Sequence, residues 1–207
     1  MLALYDHPIS SNALKVRFLL AELGLEYERR LVPIEWPRPE WYAAINPLLG
    51  IPTLEDGELI LSESNAILRY LANRERRDDL YPADPAARAR VDMMLDRYSL
   101  TLRPALFQVE AAALGFSPEG GFGSVPGDPE AARARMESIA PTLRTFDGVV
   151  SEAGYWLGDF TLVDCAAAPA LYRTTLTGLD LTPFPNLMRV RDAIMARPAF
   201  GRADPAG

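Results

Sequence analysis

The sequence predicts an α/β domain of βαβ-α-ββα order followed by an all-helical domain, on three observations. An apolar run from Leu2 to Tyr5 ends at Asp6-His7-Pro8, then gives way to a helical pattern and a second strand-like run, which together read as a parallel βαβ unit. Asp56-Gly57 stands between the runs Thr53 to Glu55 and Glu58 to Leu61, the strongest short signal for a hairpin. Beyond the charged, proline-ended stretch from Arg74 to Pro85, only helical patterns recur. The expected division is therefore 1–76 for the α/β domain, 77–86 for a linker and 87–207 for the helices.

Taken in order, Asn12 to Leu23 has helical spacing, with Ser10, Ser11 or Asn12 available to cap it and Gly24 where a left-handed C′ residue is wanted. Lys15 and Glu22 share its polar side. Arg17 falls inside the apolar arc of Ala13, Val16, Phe18 and Leu20, so a partly buried guanidinium paired with a carboxylate is expected. Glu26 to Val32 reads as the second strand. Pro33 to Ala44 is too rich in proline for a long helix. Its Trp36, Arg38 and Trp41 are candidates for covering a ligand and read equally as packing aromatics and a solvated arginine. Asp84-Pro85 opens a helix through Val91, Leu95, Tyr98 and Leu102 that is interrupted near Pro104. Gly115 to Pro129 reads as a loop, and Glu130 to Val150 as another helix. Thr161 and Asp164 supply a capping box for the helix that follows, in which Pro169 should place a kink. The last helix is expected over Asn186 to Arg197.

Composition sets bounds. The 207 residues are 49% hydrophobic and 24% charged with a net charge of −7, which suits a globular protein and opposes nucleic acid or anionic membranes as partners. No run approaches the roughly 18 apolar residues of a membrane span, and no signal peptide pattern opens the chain, so a cytoplasmic location is expected. One cysteine, Cys165, excludes internal disulfides, a C-x-x-C redox pair and a cysteine-rich zinc site; it reads as an inert buried side chain, and no metal is expected.

The stretch from Asn46 to Leu71, NPLLGIPTLEDGELILSESNAILRYL, reads as strand, turn, strand and helix without a gap. Ser62-Glu63-Ser64 leads into an apolar face of Ala66, Ile67, Tyr70 and Leu71, so a serine-capped helix opens at or beside Ser64. Its N-terminus welcomes a carboxylate. Glu63 beside it suits a ligand that also carries a cation, and an amino-acid zwitterion has both. If the Ile51-Pro52 bond is cis, the chain turns sharply and offers the Ile51 backbone to a peptide ligand as an added strand.

The same stretch resembles the glutathione-site signature of the glutathione S-transferase family, N-P-x-G-K-V-P-x-L-x-D-G followed by E-S-x-A-I-x-x-Y-L, and the likeness runs through most of the chain. The G-D-F-T-L-V-D run at Gly158 to Asp164 is similar to that family's G-D-x-x-T-x-A-D capping box. The resemblance implies a thioredoxin-like N-terminal domain that binds glutathione as co-substrate and an all-α C-terminal helical bundle that contributes an electrophile pocket. It implies a cytoplasmic homodimer with a role in detoxification, glutathione conjugated to a small hydrophobic electrophile. By position it assigns Ile51 and Pro52 to the cysteinyl part of glutathione and Glu63 and Ser64 to the γ-glutamyl end; Arg38, read from its own loop, is a candidate to cover the ligand by pairing with a carboxylate. Gly50 departs from the pattern: the long side chain of Lys or Gln is absent.

Such an enzyme must make a thiol nucleophilic. At a pKa of about 8.5 only about 3% is thiolate at pH 7, and one or two charge-assisted hydrogen bonds of about 1.5–3 kcal/mol each suffice to change that. Serine-type members of the family place their catalytic serine six residues before a helix valine, which counts back from Val16 to Ser10. Ser11 is the alternative and Asn12 a second donor; from the residues alone these are helix caps. Tyr5 at the strand end and His7, the single histidine, are lesser candidates. Tyr98, Leu102 and Phe107 are expected to line the electrophile pocket. The same thiol chemistry also suits a glutathione-dependent isomerase or dehalogenase, and a non-catalytic binding protein of the same fold is the third reading.

Overall fold

The structure is a computed structural model that describes residues 1–203. A four-stranded sheet has the order β2-β1-β3-β4, where β1 is Leu2–Asp6, β2 Tyr27–Leu31, β3 Thr53–Asp56 and β4 Leu59–Ser62. β1 runs parallel to β2 and antiparallel to β3, and every one of its residues is buried because the sheet is covered around it. Helix α1 (Ser11–Leu23) makes the crossover, α2 (Glu40–Ala43) is a single turn, and α3 (Ser64–Arg74) follows β4. This is the expected thioredoxin-like order.

Helices α4 (Pro85–Arg97), α5 (Arg103–Leu114), α6 (Pro129–Asp147), α7 (Leu162–Thr177), α8 (Pro185–Met195) and α9 (Pro198–Arg202) form the second half. α7 lies at its centre, against α1, α4, α5 and α8, and one apolar core runs from β1 and α1 through it. No helix of the described residues is long and apolar enough to cross a membrane.

Local chemistry explains the ends. Ser10 caps α1 by accepting from the Ala13 N–H at 3.2 Å, and Gly24 closes it at φ 66°. Asp84 and Asp128 cap α4 and α6 in the same way, each followed by a proline at the first helical position. At the start of α7, Thr161 accepts from the Val163 N–H at 3.3 Å, while Asp164 accepts from the Thr161 N–H at 2.8 Å and from the Trp156 N–H at 3.1 Å. The box therefore also fastens the preceding loop.

Several expectations are corrected. The β3–β4 turn falls on Gly57-Glu58, one residue later than read from Asp56-Gly57, because Asp56 pairs with Leu59; Gly57 takes the first turn position at φ 62°. The helical path is not broken at Pro104. Lacking an N–H for the Leu100 carbonyl, the proline is preceded by a π-helical turn over Tyr98–Leu102, and the chain continues as α5. The glycine-rich segment holds a short hairpin, β5 (Phe116–Ser117) with β6 (Gly121–Phe122). A further helix, α9, begins at Pro198, where the last helix is expected to stop.

Arg17 is paired as expected: 1% exposed, it donates to both Asp6 carboxylate oxygens at 2.9 and 3.0 Å and to the Ala203 carbonyl at 2.9 Å. Lys15, read as part of a polar side, is instead 6% exposed and donates to Asn65 Oδ1 at 3.0 Å. Burial, with the nearby Arg103 charge, pushes its ammonium down to about 7.

Two outcomes are expected. Thr161→Ala loses a cap worth about 1 kcal/mol, whereas Asp164→Ala leaves two buried N–H groups without their acceptor and costs about 2–4 kcal/mol. In thermal unfolding the second variant should melt roughly 5–15 °C below the parent; equal losses would mean that the Trp156 bond contributes nothing. The Lys15 amine has a folded pKa below its unfolded value of 10.5, so the unfolded chain binds more protons between about pH 7 and that value. Stability should therefore gain from Lys15 as pH rises through that window and lose it on the way down. Denaturant unfolding at several pH values should show this slope for the parent and a flatter one for Lys15→Met.

Candidate active site

Three segments meet beside the N-terminus of α3. β4 delivers Ser62, and Glu63 then adopts φ 67° and ψ 105°, a conformation that costs a non-glycine residue about 1–3 kcal/mol and turns the chain into the helix. Contrary to the serine-cap reading, Glu63 occupies the N-cap position without a side-chain cap bond, and Ser64 is the first helical residue. The α3 N-terminus thus keeps its positive end toward the cleft.

The second segment is the loop before β3. Its Ile51-Pro52 bond is cis, and so is Trp36-Pro37. Buried Tyr42 and Asn46 hold the loop: the Tyr42 hydroxyl bonds the Gly50 carbonyl and lies 2.9 Å from Thr53 Oγ1, and Asn46 Nδ2 donates to the same two oxygens at 2.9 and 3.1 Å. The third segment is the serine loop ahead of α1. Ser10 Oγ reaches to 3.4 Å from the Ile51 carbonyl, which joins the two loops.

Asn12, Ile51, Pro52, Glu63 and Ser64 line one cleft, together with Asn46, Leu48, Gly50 and Ser62. Ser10 stands at the junction of its two loops. Ser11 is buried, its hydroxyl accepting from Arg103 Nη2 at 3.1 Å. Arg38 is elsewhere: it donates to the Pro33 carbonyl within its own loop at 2.6 Å and stacks on Trp36. Trp36 and Trp41 are about half exposed and are not among the cleft residues.

Tyr98 and Leu102 lie in the core at 1% and 0% exposure, Tyr98 edge-on to Trp156, and neither offers surface to a ligand. Phe107 is half-buried within a cluster of rings, 5.1 Å from Phe116 and 5.7 Å from Phe122 between centroids. The Tyr5 hydroxyl is engaged by Glu55 at 2.9 Å and Arg30 at 2.7 Å, and burial raises its pKa, which disfavours a phenolate. His7 accepts from the Ile9 N–H at 3.4 Å as a turn residue; burial lowers its pKa. Cys165 is fully buried, which pushes its thiol up and leaves it inert.

Sequence reasoning missed Asn46 as the holder of the cis-proline loop, although it stands in the quoted motif. It also missed Arg103 and Arg173, which reach the serine loop from α5 and α7, and Glu110, which lies between them. Their signal was available: each is a lone charge within a predominantly apolar helical run, as Arg17 is.

The family model described as glutathione S-transferase, N-terminal domain, matches residues 9–74, and the one described as glutathione S-transferase, C-terminal domain, matches residues 100–198. Glutathione S-transferase GstB of Escherichia coli is 33% identical over 204 residues, which cover 96% of this chain and 95% of that protein. Maleylacetoacetate isomerase of Pseudomonas aeruginosa is 30% identical over 212 residues, covering 98% of this chain and 95% of that one. A solved theta class glutathione S-transferase from Xanthomonas axonopodis pv. citri with glutathione bound is 27% identical, covers 98% of this chain and 96% of that chain, and superposes with a TM-score of 0.82. With both halves matched and a relative of this identity spanning nearly its full length, the chain belongs to the glutathione S-transferase family.

Proposed function

We propose that this protein is a glutathione transferase that holds glutathione in the cleft at the α3 N-terminus and activates its thiol for attack on a small hydrophobic electrophile. The observation that carries this reading is the convergence, in one cleft, of a helix N-terminus with a carboxylate beside it, a cis-proline loop and the edge of a serine loop. The γ-glutamyl carboxylate takes the α3 N–H groups and the Ser64 hydroxyl, and its ammonium takes Glu63. The cysteinyl backbone pairs with Ile51 as an added strand. That leaves the sulfur beside Ser10, whose hydroxyl donates to the thiolate, with Asn12 as a second donor. The electrophile meets the sulfur from the side of Phe107, on the helical half.

The working division is 1–76 for glutathione and 87–207 for the electrophile, with 77–86 between. Assembly as a homodimer and a cytoplasmic detoxifying role fit a conjugating enzyme of this family. A second reading, in which the thiol adds and leaves again, is favoured by the isomerase relative. Product analysis separates the two: conjugates accumulate in the first, and glutathione is recovered in the second.

Calorimetry with glutathione and thiolate absorbance against pH test the primary reading. Ser10→Ala should lower the acidity constant of the bound thiol roughly ten- to a hundredfold, the loss of one charge-assisted bond, which returns the thiolate fraction at pH 7 toward that of the free thiol, with little change in affinity for S-methylglutathione. Undiminished thiolate would move the role to Ser11, and no binding at millimolar glutathione would end the reading. Gly50 has space for a side chain, its nearest obstacle being Asn46 Nδ2 at 3.8 Å from a Cβ. Gly50→Lys should therefore fold normally and bind glutathione about two- to fivefold tighter, the range of an exposed ion pair, with the gain shrinking as salt rises.

A further inference from the structure

Behind the serine loop lies a group of charges that the proposed mechanism leaves unused. Glu110 on α5 is 2% exposed. It is approached by Arg103 from about two turns earlier on the same helix, with Nη1 3.4 Å from Oε1 and Nη2 3.3 Å from Oε2. From α7, Arg173 Nη1 lies 3.3 Å from Oε2. Each guanidinium also rests on a ring, Arg103 over Phe107 at 5.0 Å and Arg173 over Phe122 at 4.7 Å.

The outer ends of this cation, anion, cation chain reach the serine loop on both sides of Ser10. Arg173 Nη2 donates to the Ile9 carbonyl, and Arg103 Nη2 donates to Ser11 Oγ at 3.1 Å. Two positive groups against one negative leave the chain with a net positive charge next to the loop. Such a triad is a poor device for stability, since desolvating three charges offsets most of their attraction. Its geometry serves another end: it ties the position of Ser10 to the helical half, and a hydroxyl that accepts from a guanidinium is a stronger donor in turn.

We propose that Arg103, Glu110 and Arg173 are positioning residues through which the helical half fixes the serine loop and biases the bound thiol toward thiolate, Arg103 acting through Ser11 and Arg173 through the Ile9 carbonyl. This inference rests on the glutathione site described above. Lys15 and Tyr98 are the other titratable groups in electrostatic contact with the cluster, Lys15 with Arg103 and Tyr98 with all three.

The test compares Arg103→Met, Arg103→Lys and Glu110→Gln with the parent by thiolate absorbance of bound glutathione against pH, with calorimetry using S-methylglutathione, which has no thiol to ionise. Arg103→Met removes positive charge and should lower the acidity constant of the bound thiol roughly tenfold, the scale of a charge-assisted bond felt through one intervening hydroxyl, while S-methylglutathione affinity stays within about twofold. Arg103→Lys should restore part of the loss. Glu110→Gln removes negative charge and should raise the thiolate fraction, the opposite sign. Loosening of the loop alone would move both charge variants in one direction, and that result, or no movement in either, overturns the inference. If Arg103→Met fails to fold, the sign of Glu110→Gln and the size of the Arg103→Lys effect decide it. Failure of the parent to bind glutathione would instead strike the proposed function and is seen before any variant is made.

Discussion

A charge taken out of water must meet a partner, and in this chain that requirement falls hardest along α1. Lys15 and Arg17 on the helix, and Arg103 and Arg173 packed close to its first turn, are all largely withdrawn from solvent. Their partners come from every layer of the molecule: Asp6 from β1, Asn65 from α3, Glu110 from α5 and the Ala203 carbonyl after α9. Breaking one partner from a buried pair typically costs about 3–5 kcal/mol. The two halves are thus held in one relative orientation by directional contacts, where apolar packing alone would tolerate sliding.

That orientation matters because the cleft is assembled from pieces that do not determine one another. The α3 N-terminus is set by the β3–β4 hairpin, the cis-proline loop by the Tyr42 and Asn46 side chains, and the serine loop by its contacts with α5 and α7. The 3.4 Å approach of Ser10 to the Ile51 carbonyl joins the last two directly. Lys15 adds a link from α1 to α3, since Asn65, which accepts from it, also donates to Ser99 Oγ at 2.9 Å in the π-helical turn. Glu63, the carboxylate beside the cleft, favours the charged form of this ammonium against the burial that disfavours it.

What the sequence made legible was local. The hairpin, the caps at Ser10, Asp84 and Thr161, and the glycine at the end of α1 depend on a few neighbouring residues, and each was readable to within a residue or so. The cleft residues Ile51, Pro52, Glu63 and Ser64 belong to one contiguous stretch, so they could be found together. Tyr98 and Leu102 show the limit: helical spacing says that a side chain points inward, not whether it meets a cleft or the ring of Trp156. Lys15 shows another, since an ammonium three residues from a helix start looks solvated until α3 is laid over it. Arg17 was flagged because it interrupts an apolar arc. The same test applied to Glu110 and Arg173 would have marked them as buried charges, although their common destination needed the fold.

The proposed electrophile side follows a different logic from the glutathione side. Phe107, Phe116 and Phe122 pack edge to face or tilted, and two of the three rings belong to the short hairpin that interrupts the helical half. This hairpin is fastened across to the α/β half, where the Trp36 N–H donates to the Glu119 carbonyl at 3.0 Å and Gly121 lies so close to Ile34 that an added Cβ would sit 3.2 Å from it. Gly121 also has φ 74°, so any side chain there would be strained as well as crowded. The wall that an electrophile would meet is therefore a ring cluster carried on a few glycine-punctuated residues, and the cation of Arg173 lies against one of those rings while its other nitrogen holds the serine loop. That one guanidinium thus touches both the ring cluster of the hairpin and the loop that carries Ser10, so the proposed electrophile wall and the proposed thiol site share a structural support.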